Sequence, residues 1–501
     1  MNLKTLLSEI EYEVLQGAVD REITAVVNDS RKIIKDSLFL CIKGANFDGH
    51  SAAEEAFEKG AAALIVQEEV PGIRGKDITV IRVSDTRYAM AFVSAAWFSN
   101  PAKKLITIGV TGTKGKTTTT YLIKSMLEHA GHKTALMGTI ETVIGDRHIP
   151  SANTTPESYT LQEYFAEMVR EGCDCVVMEV SSQALMMHRT EGFVFDYGIF
   201  TNISPDHIGP NEHKDFEEYL FWKAKLFRQC RFGFLNGDDP NTKEILKNHT
   251  ARVKTFGLGK ENDLYAEDIR LERNGAKLGV RFEVCGTESF EAFIAMPGAF
   301  SVYNALSAVS VALHMKVPVE TILTALKNAS VKGRIEPVHV SDNFTLLIDY
   351  AHNAVALESL LTSLREYHPE RIVCLFGCGG NRSKLRRFEM GEVSGNMADF
   401  TIITSDNPRD EDPDAILEDI ETGIKKTEGK YVKIADRKEA IRYAIRHGRP
   451  GDVVVLAGKG HEDYQEIRGV KHPMDERVLI SEILSEDPSS PGADAGERGG
   501  F

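Results

Sequence analysis

A glycine-rich turn between an apolar strand and a helix is the clearest chemical signal in the sequence. The run LITIGV leads into Gly112, Thr113, Lys114, Gly115, Lys116, Thr117 and Thr118, and a helical run follows. Backbone N–H groups of such a turn bind phosphate at the start of the helix, Lys116 adds a positive charge, and the Thr117 hydroxyl suits Mg²⁺. The pattern predicts a nucleoside triphosphate site, although Val110 stands where the full motif Gly-x-x-x-x-Gly-Lys-Thr has glycine.

Two further side chains could hold the metal ion. Glu179 ends the apolar run CVVME, and His207 follows the strand-like run YGIFTNI. Ligands of open α/β sheets bind beyond the carboxyl ends of the strands, where both residues are expected. Mg²⁺ prefers oxygen ligands, so an ordinary surface histidine is an equally good interpretation of His207.

One lysine is expected on the apolar face of a helix. In DFEEYLFWKAKLFRQ, the residues Phe216, Leu220, Lys223 and Phe227 are spaced 4, 3 and 4 apart and share one face, whereas Lys225 does not. Lys223 can be a lysine that extends its ammonium group to solvent, or one directed at the active site. The spacing does not decide between the two.

Two loops after strand-like runs carry groups for a small ligand. Gly377 to Arg382 follows RIVCLF, but Arg382 stands where the Gly-x-Gly-x-x-Gly motif needs glycine, so a bound NAD is not expected. The tetrapeptide Asp406-Asn407-Pro408-Arg409 follows FTIIT. Its arginine would bind a carboxylate through two hydrogen bonds and repel an ammonium group, although an exposed turn is the simplest interpretation.

The elements that must position these groups form three series of alternating strands and helices. The alternation predicts an α/β fold with mainly parallel sheets. We expect an N-terminal domain at 1–100, a central P-loop ATPase domain at 101–331 and a C-terminal Rossmann-like domain at 332–485. The tail, 486–501, is rich in Gly, Pro, Ser and charge, which predicts disorder.

The composition excludes several classes of protein. The chain has 501 residues, of which 42% are hydrophobic and 27% charged, and its net charge is −15. The negative charge argues against nucleic acid or anionic lipid as a general partner. No run of 18 apolar residues and no signal peptide are recognisable. The seven cysteines form no C-x-x-C pair and lie mostly in apolar runs, which predicts buried thiols in the cytoplasm.

Beyond these separate signals, the ordered set of motifs resembles the Mur ligases. It comprises TGTKGKTTT, MEVSSQAL, HRTEGFVFDYGIFTNISPDH, YLFWKAKLF, GRIEPV, DYAH, FGCGGNR, SDNPR and AGKGHEDYQ. The resemblance extends from about residue 29 to 476 and is greatest to the members that add the third amino acid of the peptidoglycan peptide. It implies an N-terminal domain for a uridine nucleotide, a central ATPase and a C-terminal domain for the amino acid.

The resemblance also implies roles for residues in the first two domains. Lys223 is expected to carry an N6-carboxylate (a carbamate) and to hold Mg²⁺ together with Thr117, Glu179 and His207. The expected ligands of UDP-MurNAc-dipeptide are Asn28, Ser30, Ala45, Asn46 and Phe47 at the uridine end, and Asn153, Thr154, Thr155, Ser181 and Arg189 at the dipeptide. Asn304, Arg334, Asp349 and His352 are expected to complete the ATP site.

In the C-terminal domain, the resemblance implies that Arg382, Asp406, Asn407, Pro408, Arg409, Gly458 and Glu462 bind the incoming amino acid. The implied reaction is ATP-dependent ligation of meso-diaminopimelate to UDP-MurNAc-L-Ala-D-Glu through an acyl phosphate, by a cytoplasmic monomer. Two variant runs, at 208–213 and 353–355, are similar to those of some lysine-adding relatives, so L-lysine stays an alternative. A folylpolyglutamate synthase and a P-loop scaffold ATPase without ligase chemistry are further alternatives.

Overall fold

The structure is a computed structural model that describes residues 1–44, 47–210, 212–274 and 277–486. The site candidates Ala45 and Asn46 lie outside these residues, as does the predicted tail from residue 487 onward. The preceding residue, Glu486, is the last of a helix and not part of a disordered tail. The chain divides into two compact units, Met1–Asp263 with Ser307–Pro318, and Leu264–Leu306 with the residues from Val319 onward.

The first unit begins with a five-stranded sheet. Its elements are α1 (Leu3–Leu6), β1 (Glu13–Gln16), β2 (Ala25–Val27), β3 (Ser37–Leu40), α2 (Ala53–Glu58), β4 (Ala61–Val66), β5 (Thr79–Arg82) and α3 (Thr86–Trp97). The strand order is β1-β5-β4-β3-β2, and only β1 is antiparallel to its neighbour. All six residues of β4 are buried, which is typical of a parallel strand covered on both faces.

A second sheet of this unit carries the phosphate-binding turn. Its elements are β6 (Ile106–Thr111), α4 (Lys116–His129), β7 (Thr134–Met137), β8 (Glu141–Ile144), β9 (Arg147–Pro150), α5 (Ser158–Arg170), β10 (Cys175–Glu179), α6 (Ser182–Met186), β11 (Phe195–Phe200), α7 (Phe216–Ala224), β12 (Cys230–Asn236), α8 (Thr242–Ile245) and β13 (Arg252–Gly257). The order β13-β12-β11-β6-β10-β7-β8-β9 places β6 between β11 and β10. Glu179 pairs with Val110 in this parallel register, so the end of β10 lies beside the turn after β6.

The second unit contains an antiparallel group of three strands and a six-stranded sheet. The elements are β14 (Leu264–Asn274), β15 (Lys277–Gly286), β16 (Phe290–Ile294), α9 (Phe300–His314), which ends in the first unit, α10 (Val319–Lys327), β17 (Glu336–Val338), β18 (Thr345–Asp349), α11 (Ala354–Arg365), β19 (Arg371–Phe376), α12 (Lys384–Met397), β20 (Phe400–Ile403), α13 (Pro413–Ile424), β21 (Tyr431–Lys433), α14 (Arg437–Arg446), β22 (Asp452–Ala457), β23 (Tyr464–Ile467), β24 (Val470–Pro473) and α15 (Glu476–Glu486). The larger sheet has the order β17-β18-β22-β19-β20-β21, in which only β17 is antiparallel.

The predicted α/β class with mainly parallel sheets is confirmed. The antiparallel strands β14 to β16 are an addition that the sequence analysis did not predict. The boundaries proposed at residues 100 and 331 stay predictions. All seven cysteines are buried free thiols, as expected. In the part of the chain that the structure describes, no helix has the length and apolarity needed to cross a membrane.

Candidate active site

The turn between β6 and α4 has the backbone geometry of an anion cradle. Gly112 has φ +149° and Gly115, at the N-terminus of α4, has φ +83°. A Cβ atom on Gly112 would lie 1.9 Å from the Thr201 hydroxyl oxygen, so the turn passes too close to the loop after β11 for a side chain. Among the described residues no side chain caps α4, and the N-terminus of a helix is where backbone N–H groups bind an anion.

The turn is fixed by its own carbonyl groups and by the loop that follows β11. The Lys116 ammonium lies 3.0 Å from the Gly112 carbonyl oxygen and 3.2 Å from that of Thr113. The backbone N–H of Thr113 donates to the Asn202 carbonyl oxygen at 2.8 Å, and the N–H of Lys114 to the Asn202 side chain at 2.9 Å. The backbone of the turn is thus held by a residue some ninety positions further along the chain, and Lys116 is held by carbonyl groups of the turn itself.

Glu179 and Thr117 form a buried oxygen pair beside the turn. The Thr117 hydroxyl donates to Glu179 Oε1 at 2.9 Å. Glu179 also accepts the N–H of Thr139 at 2.8 Å and the Thr139 hydroxyl at 3.1 Å. A carboxylate and a hydroxyl are ligands that Mg²⁺ prefers, so the donor set fits this ion. Thr139 was not predicted, although its position two residues after β7 is the same strand-end signal that identified Glu179.

Lys223 is buried, and its amine ends inside the protein. Only 2% of the residue is exposed, and Nζ lies 2.7 Å from the Gly112 carbonyl oxygen and 4.5 Å from the centre of the Tyr219 ring. The interpretation as a lysine that reaches solvent is therefore wrong. Burial, reinforced by the charge of Lys116, holds the pKa of the amine well below its usual range. Lys225, off this face, pairs with Glu191 at 2.5 Å instead.

Tyr219 belongs to the same cluster and was also missed. Tyr219 lies one turn of α7 before Lys223, and its hydroxyl is 3.0 Å from the Thr113 hydroxyl.

His207 lies in an exposed loop nearby, where its side chain is 51% exposed and Nδ1 is 3.1 Å from a Glu212 carboxylate oxygen. Among the described residues no hydrogen bond joins His207 to Thr117 or Glu179, so its metal role stays a prediction.

Four residues predicted to bind the muramoyl dipeptide meet around the end of β10. The Thr154 hydroxyl lies 3.1 Å from that of Thr139, and the Thr155 hydroxyl donates to the Glu179 carbonyl oxygen at 2.9 Å. The Ser181 N–H donates to the Thr155 hydroxyl, and Arg189 donates to the Thr155 carbonyl oxygen at 3.0 Å. Arg189 also pairs with a Glu157 oxygen at 2.6 Å, while Asn153 is exposed in the same loop.

Of the residues predicted for the uridine end, Asn28, Ser30 and Phe47 are described, and they lie in segments that follow strands of the first sheet. Asn28 directly follows β2, and Ser30 begins a short 3-10 helix whose N-terminus is capped by Asp29. Phe47 is 59% exposed, which is high for a large apolar side chain. An exposed ring in the loop after β3 can contact a nucleotide base, and the role of these residues stays a prediction.

In the second unit, the predicted amino-acid site is a connected network. Asn407 donates to Glu462 Oε2 at 2.9 Å, and the buried Lys459 donates to Asn407 at 3.0 Å and to Glu462 at 2.7 Å. Gly458 has φ +107°, and a Cβ atom there would lie 3.1 Å from Asp406 Oδ2. The structure thus brings four predicted residues together and adds Lys459, which is part of the motif AGKGHEDYQ.

Arg409 is anchored rather than free in an exposed turn. Its Nη1 donates to the Gly380 carbonyl oxygen at 2.7 Å and its Nε to Glu466 Oε2 at 3.0 Å. Pro408 is buried and packs against Gly380, where a Cβ atom would lie 1.8 Å from the Pro408 carbonyl oxygen. Arg382 is exposed in the loop after β19. The interpretation of this tetrapeptide as a solvated turn is therefore wrong.

Three residues predicted to complete the ATP site cluster around Tyr350. The Arg334 guanidinium lies 4.8 Å from the Tyr350 ring centre, and the His352 ring lies 4.7 Å from it. Asp349 accepts the N–H groups of Ile335 and Ala351, and its burial raises the pKa of the carboxyl above the usual value. Asn304, on α9, is 7% exposed.

Comparison with known proteins agrees with this arrangement. The Mur ligase family, catalytic domain, matches residues 22–97, the Mur ligase middle domain 110–312 and the Mur ligase, glutamate ligase domain 333–460. Two relatives are named UDP-N-acetylmuramoyl-L-alanyl-D-glutamate–2,6-diaminopimelate ligase. The one from Caldanaerobacter subterraneus subsp. tengcongensis is 43% identical and the one from Clostridium perfringens 41%, each over 97% of this chain and 99% of the relative.

A solved structure extends the agreement to three dimensions. The structure of a UDP-N-acetylmuramoyl-L-alanyl-D-glutamate–2,6-diaminopimelate ligase is 28% identical, with a TM-score of 0.73, and the match covers 97% of this chain and 99% of that one. The family models match in order along the chain, and the relatives match it over nearly its full length. The chain therefore belongs to the Mur ligase family.

Proposed function

We propose that this protein is an ATP-dependent ligase that joins meso-diaminopimelate to the D-glutamyl residue of UDP-MurNAc-L-Ala-D-Glu. The observation that carries the proposal is the buried pair of Thr117 and Glu179 beside the phosphate-binding turn, with the Lys223 amine 2.7 Å from that turn. The substrates are those in the names of the relatives that match the whole chain. The motif order and the Asp406-to-Arg409 network support the same assignment.

In this proposal, residues of the first unit bind the phosphates and the metal ion. The residues Gly112 to Thr118 and the N-terminus of α4 hold the phosphate chain of ATP. Thr117, Glu179 and His207 hold Mg²⁺, which supplies charge neutralisation at the phosphate oxygens. Asn304, Arg334, Asp349 and His352, all in the second unit, stay predicted ATP ligands.

We further propose that Lys223 is carboxylated. A neutral amine reacts with CO₂ to give a carbamate and one proton, which converts a cation into a carboxylate-like anion. Burial favours the neutral amine by lowering its pKa, as this reaction requires. A carbamate at this position adds an oxygen ligand for Mg²⁺ and removes the charge repulsion from Lys116.

The reaction follows from the need to activate a carboxylate. The γ-carboxylate of D-glutamate attacks the γ-phosphorus of ATP, ADP leaves, and an acyl phosphate forms. The deprotonated amine of diaminopimelate then attacks the acyl carbon, and collapse of the tetrahedral adduct releases phosphate. Thr155, Ser181 and Arg189 hold the dipeptide at the end of β10, where the metal-binding pair also lies.

The choice of amino acid rests on Arg409, with Arg382, Asp406, Asn407, Pro408, Gly458 and Glu462 as further contacts. The distal end of meso-diaminopimelate carries a carboxylate that a guanidinium binds, whereas L-lysine offers only an ammonium group there. We place the reaction in the cytoplasm and expect a monomer. Sedimentation of the purified protein checks the oligomeric state.

Phosphate release tests the function directly. ATP, Mg²⁺ and UDP-MurNAc-L-Ala-D-Glu are combined with meso-diaminopimelate, with L-lysine, or with neither. Release only with meso-diaminopimelate is expected, and Lys116→Ala should abolish ADP formation. Release only with L-lysine would transfer the assignment to the lysine-adding reaction. Hydrolysis that is independent of the UDP-sugar would indicate a scaffold ATPase, and folate-dependent release would indicate folylpolyglutamate synthase.

A further inference from the structure

The hairpin of β23 and β24 packs along the loop that contains Arg409. The N–H of Arg409 donates to the Glu466 carbonyl oxygen at 3.0 Å, and the N–H of Arg468 donates to the Arg409 carbonyl oxygen at 2.8 Å. The N–H of Glu466 donates to Asn407 Oδ1 at 2.9 Å. These backbone contacts hold the loop and the hairpin together independently of the Glu466 carboxylate.

Among the described residues, the hydrogen bonds of Arg409 leave one end of its guanidinium group available. Nε donates to Glu466, and one Nη1 hydrogen is donated to Gly380. The other Nη1 hydrogen and both Nη2 hydrogens have no acceptor among the described residues. A carboxylate can accept two parallel hydrogen bonds from Nη1 and Nη2 at this end. Because Nε already donates to Glu466, the guanidinium cannot present the edge that contains Nε to the ligand.

The charge of Arg409 is balanced by the same contact. The side chains of Arg409 and Glu466 are 23% and 27% exposed, so solvent screens their ion pair only in part. A guanidinium and a carboxylate at 3.0 Å have no net charge together. A ligand would therefore meet directed N–H groups of Arg409 whose charge is balanced by Glu466.

We propose that Glu466 is a positioning residue that determines specificity for the distal end of the amino acid. It orients Arg409 for an end-on carboxylate and cancels its charge, so the site accepts an end group that carries both a carboxylate and an ammonium group. An end group with only a carboxylate is repelled by Glu466. This inference rests on the proposed function and deepens it.

Glu466→Gln separates the two effects, because the amide oxygen can still accept the Nε hydrogen bond while the charge is lost. The probes are meso-diaminopimelate, whose distal end has both groups, and 2-aminopimelate, whose distal end has only the carboxylate. We expect the ratio of kcat/KM for 2-aminopimelate to that for meso-diaminopimelate to rise about tenfold in the variant. The change should be in KM, with kcat altered by less than about twofold, because the distal end is remote from the reacting amine.

Ionic strength provides a readout that a purely structural role would not affect. In Glu466→Gln the charge of Arg409 is no longer balanced, and salt screens it. The rise in the ratio of kcat/KM for 2-aminopimelate to that for meso-diaminopimelate should therefore be smaller at high salt than at low salt. The same ratio for the wild type should stay constant. Glu392→Gln is the matched control. It removes the same charge from an exposed pair with Lys426 at 3.4 Å and should leave the ratio unchanged.

The outcomes distinguish this inference from the proposed function. If the wild type releases no phosphate with meso-diaminopimelate, both fail. A different outcome is that the wild type is active while Glu466→Gln leaves the ratio of kcat/KM for the two probes unchanged at all salt concentrations, including by lowering both values equally. In that case Glu466 only stabilises the hairpin, and the inference is overturned. Glu466→Ala, which loses the anchor as well as the charge, should raise KM for both probes.

Discussion

The Nζ atom of Lys223 lies 2.7 Å from the carbonyl oxygen of Gly112, a residue 111 positions earlier in the chain. This contact links α7 directly to the phosphate-binding turn. The residue is 2% exposed, and the positive charge of Lys116 adds to the effect of burial in lowering the pKa of the amine. Two lysines thus meet at one turn, an arrangement that favours a neutral or modified Lys223.

The first prediction concerns this amine. Lys223→Ala should lower kcat by about 100-fold to 1000-fold, because the proposed carbamate ligand for Mg²⁺ is lost. Short carboxylic acids such as acetate or formate should restore part of the activity. Lys225→Ala, which changes a lysine two residues away that pairs with Glu191, should retain most activity.

Mass spectrometry of the intact protein tests the modification itself. We expect an increment of one CO₂ at neutral pH that is lost on acidification, since protonation releases CO₂ from a carbamate. An unmodified wild type with full activity in CO₂-depleted buffer would contradict the assignment.

The second prediction concerns the pair of Thr117 and Glu179. Thr117→Val keeps the shape of the side chain but removes the hydroxyl, so the Mg²⁺ concentration for half-maximal activity should rise about tenfold or more. Thr117→Ser keeps the hydroxyl and should stay close to the wild type. Equal Mg²⁺ requirements in all three proteins would argue against this metal site.

The third prediction compares two glycines of positive φ. Gly112→Ala places Cβ 1.9 Å from the Thr201 hydroxyl oxygen, whereas a Cβ atom on Gly131, with φ +92°, meets no atom within 4 Å. Gly131→Ala should cost about 1 kcal/mol of stability from backbone strain alone. Gly112→Ala should cost more and should weaken ATP binding, which calorimetry with ADP measures. Similar ADP affinities in both variants would contradict the cradle.

The fourth prediction concerns the pH dependence of stability. Burial lowers the pKa of His461 to about 4 from its usual value of 6.5, with a smaller contribution from Arg334. The unfolded chain therefore binds this proton more readily than the folded one. The stabilisation from the neutral ring is complete above about pH 6.5 and is lost as the pH falls toward 4, by at most about 3 kcal/mol.

His461→Gln removes this titration. Urea unfolding of both proteins at several pH values should give a wild-type midpoint that falls more steeply between pH 6.5 and 4 than the midpoint of the variant. The comparison uses differences between two proteins because a chain of two units need not unfold in one step. Parallel curves would show that His461 does not titrate as the structure indicates.

Local sequence was sufficient for the alternating strands and helices and for several of the site residues, but not for β14 to β16. The glycines and the lysine of the P-loop can be recognised from a stretch of eight residues. This is possible because the conformations of the loop and of the start of the helix depend on nearby residues. The 4-3-4 spacing identified the buried face of α7 on which Lys223 lies, because helical periodicity is a local property. The family motifs added the order of the domains, which no single element contains.

The contacts between distant segments were decided only by the tertiary structure. The hydrogen bond between Thr117 and Glu179 depends on β6 and β10 pairing in parallel register, and the location of the Lys223 amine depends on how α7 packs against the turn. The pairing of Arg409 with Glu466 likewise needs the hairpin to lie along the loop. Sequence spacing determines which face a side chain occupies, but its partner, its exposure and hence its pKa depend on which element packs against that face, and that is a property of the whole fold.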